Sequence, residues 1–175
     1  MTYSRPHRRI VVLGIGNTLL QDEGVGVHAM RQLQRECGEI AGVEFIDGGT
    51  LSFSLAGPIA QADGLIVLDA AEFQDSPGTT RLFVDEEMDR FLGENRKRSV
   101  HEVGLLDLMA VSCLTDSLPV QRALIGIQPQ RMDWGDAPGD AVTAAIPVAC
   151  AMARNLIEAW RRLPLAASKK EKRHA

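Results

Sequence analysis

Arg9-Ile10-Val11-Val12-Leu13-Gly14-Ile15-Gly16-Asn17-Thr18-Leu19-Leu20-Gln21-Asp22-Glu23-Gly24-Val25-Gly26 sets the reading of the whole chain. Ile10 to Leu13 are apolar without alternation, the pattern of a strand buried on both faces of a sheet. Gly14 and Gly16 let the backbone turn at the strand's carboxyl end, and two acids, Asp22 and Glu23, follow within a few residues. In open α/β sheets ligands bind outside the carboxyl ends of the strands, so the acids stand where a site would be built. Asp22 reads as the cap of a helix whose apolar stripe is Val27, Met30, Leu33 and Cys37.

The same alternation continues outward. Val43-Glu44-Phe45-Ile46 reads as a second strand, ending in the turn Asp47-Gly48-Gly49-Thr50 ahead of a helix from Leu51 to Ala60. Gly64-Leu65-Ile66-Val67-Leu68 is a third strand with Asp69 at its carboxyl end. Pro77-Gly78 turns the chain into Thr79 to Val84, a partly exposed strand expected to lie antiparallel at an edge. Asp85 to Leu92 is a short helix, and Gly93 to Arg98 a polar, mobile loop. Ser99-Val100-His101-Glu102 fits a capping box opening a helix with Leu105, Leu108 and Met109. Arg122 to Ile127 is the last strand, and Ala141 to Trp160 a long helix that Pro147 kinks or divides. Strands alternating with helices predict an α/β fold: one domain, with a twisted, mostly parallel sheet of about five strands and helices on both faces.

A chain of 175 residues, 45% apolar, is long enough for one domain with a substantial core. We expect flexible ends at 1–8 and 164–175 around a domain at 9–163. Arg5 to Arg9 and Lys169 to Arg173 read as solvated basic runs, with docking to an acidic partner as the alternative for the tail. A net charge of −4 gives no global attraction to nucleic acid. No apolar stretch of membrane-spanning length and no secretory signal are evident, which predicts a cytoplasmic protein. Cys37, Cys113 and Cys150 are odd in number and set in apolar helical patterns, so they read as buried, reduced thiols and not as a metal or nucleophile site.

The two-glycine turn has the start of a dinucleotide fingerprint, but Leu19 replaces its third glycine, and no G-K-[ST] element is present; nucleotide binding is not expected. Glu23 need not cap anything and divides evenly between a dipole-favoured acid and a functional one. Asp69, directly after four apolar residues, either hydrogen-bonds loop amides or serves a site, and the second reading is preferred. Asp47 is balanced against ordinary Asp-Gly-Gly turn chemistry. His101 opens a helix, where the dipole disfavours the imidazolium and leaves a neutral ring able to bind metal; an exposed first-turn histidine is the alternative. Glu102 is explained by the capping box. Glu23, Asp69 and His101 together offer two oxygen donors and one nitrogen, suited to a divalent transition metal with open positions.

Gly14-Ile15-Gly16-Asn17 with Leu19-Leu20 and Asp22-Glu23-Gly24-Val25-Gly26, then Asp47-Gly48-Gly49-Thr50, Leu68-Asp69-Ala70 and His101-Glu102-Val103-Gly104-Leu105, resemble in order and spacing the hydrogenase maturation endopeptidases. The resemblance runs from about Arg8 to Trp160, and is greatest to members serving membrane-bound uptake hydrogenases. It implies a peptidase, grouped by some with the aspartic type, that cuts a carboxy-terminal extension from the nickel-loaded large-subunit precursor of a nickel–iron hydrogenase, a task for which a monomer suffices. It also implies that Glu23, Asp69 and His101 contact the metal, that nickel comes with the substrate, and that Asp47, Gly48 and Gly49 support the site or recognise substrate. A water held by the metal or by Glu23 and Asp69 would attack the scissile carbonyl, and a carboxyl group would return a proton to the leaving amine. Two other classes use the same residues: a non-catalytic nickel-sensing assembly factor or metallochaperone, and a small-molecule hydrolase.

Overall fold

The structure, a computed structural model, describes residues 7–50, 53–94 and 100–164, with the backbone alone at residues 100–103. Five strands, β1 (Ile10–Ile15), β2 (Val43–Gly49), β3 (Gly64–Ala70), β4 (Thr80–Val84) and β5 (Gln121–Ile127), form one sheet in the order β2-β1-β3-β5-β4. All pairs are parallel except β4 with β5, which is antiparallel at the edge as expected. Every residue of β1 and β3 is buried, so the unbroken apolar runs belong to the strands covered on both faces.

Side-chain alternation divides these strands between two cores. Ile10, Val12, Ile66, Leu68, Ile125 and Ile127 face α1 (Val25–Cys37) and α5 (Asp140–Arg161). Val11, Leu13, Leu65, Val67 and Leu124 face α2 (Ala56–Gln61), α3 (Glu86–Glu94) and α4 (Val100–Leu114). Helices therefore cover both faces, as the sequence implies.

Several expectations need correction. Asp22 does not cap α1: a 3-10 turn, Gln21–Gly24, precedes that helix, and its cap residue Gly24 makes no side-chain cap bond. The Asp47-Gly48-Gly49 turn is the end of β2, because pairing with β1 carries it on to Gly49 across an irregularity at Gly14/Ile15. Of the two effects expected of Pro147, division of the helix does not occur: α5 runs through it unbroken, with Pro147 on the exposed side, where water can satisfy the carbonyl it leaves without a donor. With 22 residues, α5 is long and apolar enough by length and composition to cross a membrane, contrary to expectation. Its apolar residues are spent on the sheet: Val142, Ala145, Ile146, Ala149, Cys150, Ala153, Ile157 and Trp160 are buried there.

Of the amino-terminal basic run, Arg8 is buried and donates to the Gln121 side chain and the Pro164 carbonyl, while Arg9 binds Glu44 and Gln61. Of the cysteines only Cys150 is buried; Cys37 is half-buried and Cys113 exposed on α4. Burial pushes the Cys150 thiol up to about 11, so it is an inert core group donating to the Ala29 carbonyl at 3.4 Å. The tail Lys169 to Arg173, Arg5, loop residues 95–98 and the side chains of the capping box lie outside the described residues.

Candidate active site

The chain leaves β1 through α1 on one face to reach β2, then returns through α2 on the other face to β3. β2 and β3 thus flank β1 on opposite sides, and the crevice between the ends of β1 and β3 is the sheet's switch point, where ligands bind in such folds. Glu23 lies in the turn after β1 and Asp69 is the penultimate residue of β3, so both border this crevice.

Two glycines close the approach. A Cβ at Gly26 would lie 2.1 Å from the Leu68 carbonyl oxygen and 2.4 Å from that of Ile15, so only glycine lets the start of α1 rest on both strand ends. Gly16 has φ +128°, and a Cβ there would meet the Glu23 carbonyl oxygen at 1.8 Å. The turn Gln21–Gly24, carrying half-buried Glu23, is thereby pressed onto the β1 turn and touches β3. Asp69 is 3% exposed, an acid in the interior at the sheet's carboxyl edge.

Register separates the acids that the sequence presents alike. Asp47 pairs with Gly14, which pairs with Leu68, so Asp47 stands on the α1 face, where its carboxylate binds Arg31 of α1 at 2.8 Å. Its other oxygen accepts the Gly49 N–H at 3.0 Å, ordinary turn chemistry. Asp69 is one residue beyond Leu68 and faces the opposite side, with Leu65 and Val67, towards the layer containing α4. Gly48 packs so close to Leu13 that a Cβ would come within 2.8 Å of its Cδ1, and Gly49 has φ +48°. These three residues therefore shape and brace the β2 end.

α4 leads through residues 115–120 into β5 at the amino edge, so its first turn opens towards the carboxyl edge, on the Asp69 face. His101 lies in that turn, and its side chain is outside the described residues. Among the described residues no three His, Cys, Asp or Glu side chains converge as a metal-binding group.

Sequence reasoning missed the loop after β5. Asp22, 1% exposed, accepts the Gln130 and Arg131 N–H groups on Oδ2, both at 2.8 Å, and the Gly139 N–H on Oδ1 at 2.7 Å. The loop answers with its own backbone: Asp22 N–H donates to Arg131, Gln21 N–H to Gly135, and Gly135 N–H to Leu19. Gln128, also buried, braces the loop after β3, with Oε1 accepting from Phe73 at 2.7 Å and Nε2 donating to Glu72 at 2.9 Å. A glutamine before a proline directly after a buried strand was the only sequence signal for this bracing.

His28 of α1 lies half-buried behind this turn, and its Nε2 is buried without a hydrogen-bond partner. Burial, then Arg31 and Arg35, hold its pKa below the ordinary value of 6.5, with Asp136 opposing. A lowered folded pKa makes the unfolded chain the better proton acceptor, so stability is full above pH about 6.5 and is lost as pH falls through the folded pKa. Thermal melts between pH 7 and pH 5 should show a larger drop for wild type than for His28→Gln; equal drops would remove this account.

Comparison with known proteins agrees with this architecture. The model of the hydrogenase maturation protease family, HycI, matches residues 27–155, which include Asp47, Asp69 and His101 and begin after Glu23. The hydrogenase expression/formation protein HupM of Azotobacter chroococcum is 38% identical over 154 residues, 87% of this chain and 72% of its own. The hydrogenase 2 maturation protease of Escherichia coli is 36% identical over 126 residues, 71% of this chain and 76% of its own. Among solved structures, the hydrogenase maturating endopeptidase HybD from Escherichia coli superposes with TM-score 0.78 at 34% identity, covering 86% of this chain and 93% of that one. The nickel–iron hydrogenase maturation protease HybD from Thermococcus kodakarensis gives TM-score 0.70 at 28% identity, over 85% and 98%. With the fold, the switch-point crevice and the matching relatives in agreement, this chain belongs to the hydrogenase maturation protease family, a family of peptidases.

Proposed function

We propose that the protein cuts the carboxy-terminal extension from the nickel-loaded large-subunit precursor of a nickel–iron hydrogenase, with Glu23, Asp69 and His101 as its working residues. The observation that supports this reading is that the turn bearing Glu23, beyond β1, packs against β3, which carries Asp69 at the same carboxyl edge of the sheet. Two carboxylates and an imidazole suit a divalent transition ion presented by the substrate, so the metal serves as the mark of a finished precursor. One carboxylate takes a proton from the attacking water, and a carboxyl group returns a proton to the leaving amine. A single chain contributes all three residues, so a monomer in transient complex with its substrate suffices.

The test is to incubate the purified protein with nickel-loaded and nickel-free precursor and weigh the large subunit by mass spectrometry. We expect the loaded form to lose its extension and the empty form to stay whole. Both forms intact would replace the peptidase reading with the nickel-sensing assembly factor. Cleavage of both would remove the metal checkpoint, and turnover of simple amides without a protein would favour a small-molecule hydrolase. His101→Ala should leave the loaded precursor uncut, and normal cleavage by that variant would take His101 out of the site.

A further inference from the structure

Trp134 is 80% exposed, with Leu19 at 56% and Met132 at 51%. Backbone bonds bring Leu19 beside the loop that carries the other two: Gly135, next to Trp134, forms a bridge with Leu20 and donates its N–H to the Leu19 carbonyl, and Met132 is two residues before Trp134. Their exposure does not come from a loose loop. The segment from Gln130 to Gly139 is held by the buried Asp22 carboxylate at both ends and by backbone bonds to Leu19, Gln21 and Asp22 in between. A firmly held loop that presents a tryptophan to water keeps a large apolar surface exposed, roughly 150–250 Å² for such a ring, in a position where it can be covered by another molecule.

The position of the patch identifies what covers it. Leu20 accepts the Glu23 N–H in the next turn, so the patch and the Glu23 backbone share one short, rigid segment. The patch therefore stands beside the turn that bears Glu23, within reach of a protein substrate lying at the crevice. Exposed Arg131, Asp133 and Asp136 frame them, giving the apolar centre and charged rim of a protein-binding surface.

We infer that Trp134, with Leu19 and Met132, forms the subsite that receives an apolar side chain of the precursor next to the bond that is cut. This rests on the peptidase reading above for its substrate, and it adds a specificity-determining residue outside the Glu23, Asp69 and His101 set. Because Trp134 touches substrate away from the reacting atoms, it acts on binding and leaves the chemical step alone.

The test uses steady-state processing of nickel-loaded precursor by full-length wild type, Trp134→Ala and Trp134→Phe. Leu114→Ala, at the far end of α4 and 87% exposed, serves as the control for removing an exposed apolar side chain. Trp134→Ala should raise KM by about tenfold or more with kcat within about twofold, as loss of a tryptophan anchor does; Trp134→Phe should recover most of it, and Leu114→Ala should change neither. An unchanged KM for Trp134→Ala, or an equal rise for Leu114→Ala, overturns the inference. So does a wild-type dimer, seen by sedimentation, that Trp134→Ala splits with processing unchanged, because a second copy would then be the occupant. Affinity of the same precursor for Glu23→Gln and for Glu23→Gln with Trp134→Ala, measured by interferometry, keeps the two readings apart. A wild type that leaves the precursor whole ends the peptidase reading, while a tenfold loss of affinity in the double variant still supports this subsite and equal affinities end it.

Discussion

Glu23→Gln is expected to lower precursor processing by roughly 10²–10⁴-fold, the usual contribution of a positioned general base, while the melting temperature stays within a few degrees of wild type. Glutamine keeps the length and most of the packing of the half-buried side chain at the switch-point crevice and removes only the charge and the proton-accepting oxygen. Asp69→Asn should give a loss of similar size. The two substitutions should not multiply, because groups that act on the same water fail together. Single-turnover cleavage of nickel-loaded precursor, read by mass, measures all three variants against a circular-dichroism melt of each. Wild-type rates for Glu23→Gln would move the chemistry away from this acid.

Asp22→Ala should be the most destabilising single change at the site. Three backbone N–H groups, of Gln130, Arg131 and Gly139, lose their acceptor in part-buried bonds, and each bond to a charged acceptor lost near the surface costs the low end of the about 1–3 kcal/mol of an unpaired donor. A total near 3 kcal/mol corresponds, for a chain of this size, to a fall of roughly 6–12 °C in Tm. Asp22→Asn separates the two readings of this residue. If Asp22 only capped a helix, asparagine would serve as well and the change would be silent. Bound as it is by amides on both oxygens, the carboxylate cannot be replaced by an amide without setting an NH2 group against an N–H, so the asparagine variant should lose several degrees. A melt indistinguishable from wild type for Asp22→Asn would restore the capping role.

Asp22 differs from its expected capping role because its partners are distant along the chain. β1, β3 and β5 are legible because burial on both faces demands unbroken apolar runs, and β4 because its mixed character suits an exposed edge. A cap is judged from the next few residues, whereas the partners of Asp22 lie 108 to 117 positions away. Asp47 and Asp69 look equivalent in sequence, each closing a strand. Only the pairing of Gly14 with both Asp47 and Leu68 sends them to opposite faces, and pairing is not written in either strand alone. Trp134 carried no local signal, since an aromatic residue in a polar loop is read as ordinary surface until the bonds that fix the loop are seen. The order of the glycines, by contrast, was readable and proved necessary: Gly16 and Gly26 are where backbone meets backbone.

The bond from Asp22 to the segment beyond β5 also orders events in folding. Its partner amides at Gln130, Arg131 and Gly139 follow β5 in the chain, so reaching Asp22 requires a loop of more than a hundred residues to close. Such distant contacts form late, because the entropy of closure is met before they contribute. A nascent or half-folded chain thus holds the turn bearing Glu23 without its brace and Trp134 without its platform. The brace on the turn that bears Glu23 is thus supplied from the far end of the chain, and a chain cut short before Gln130 would lack it.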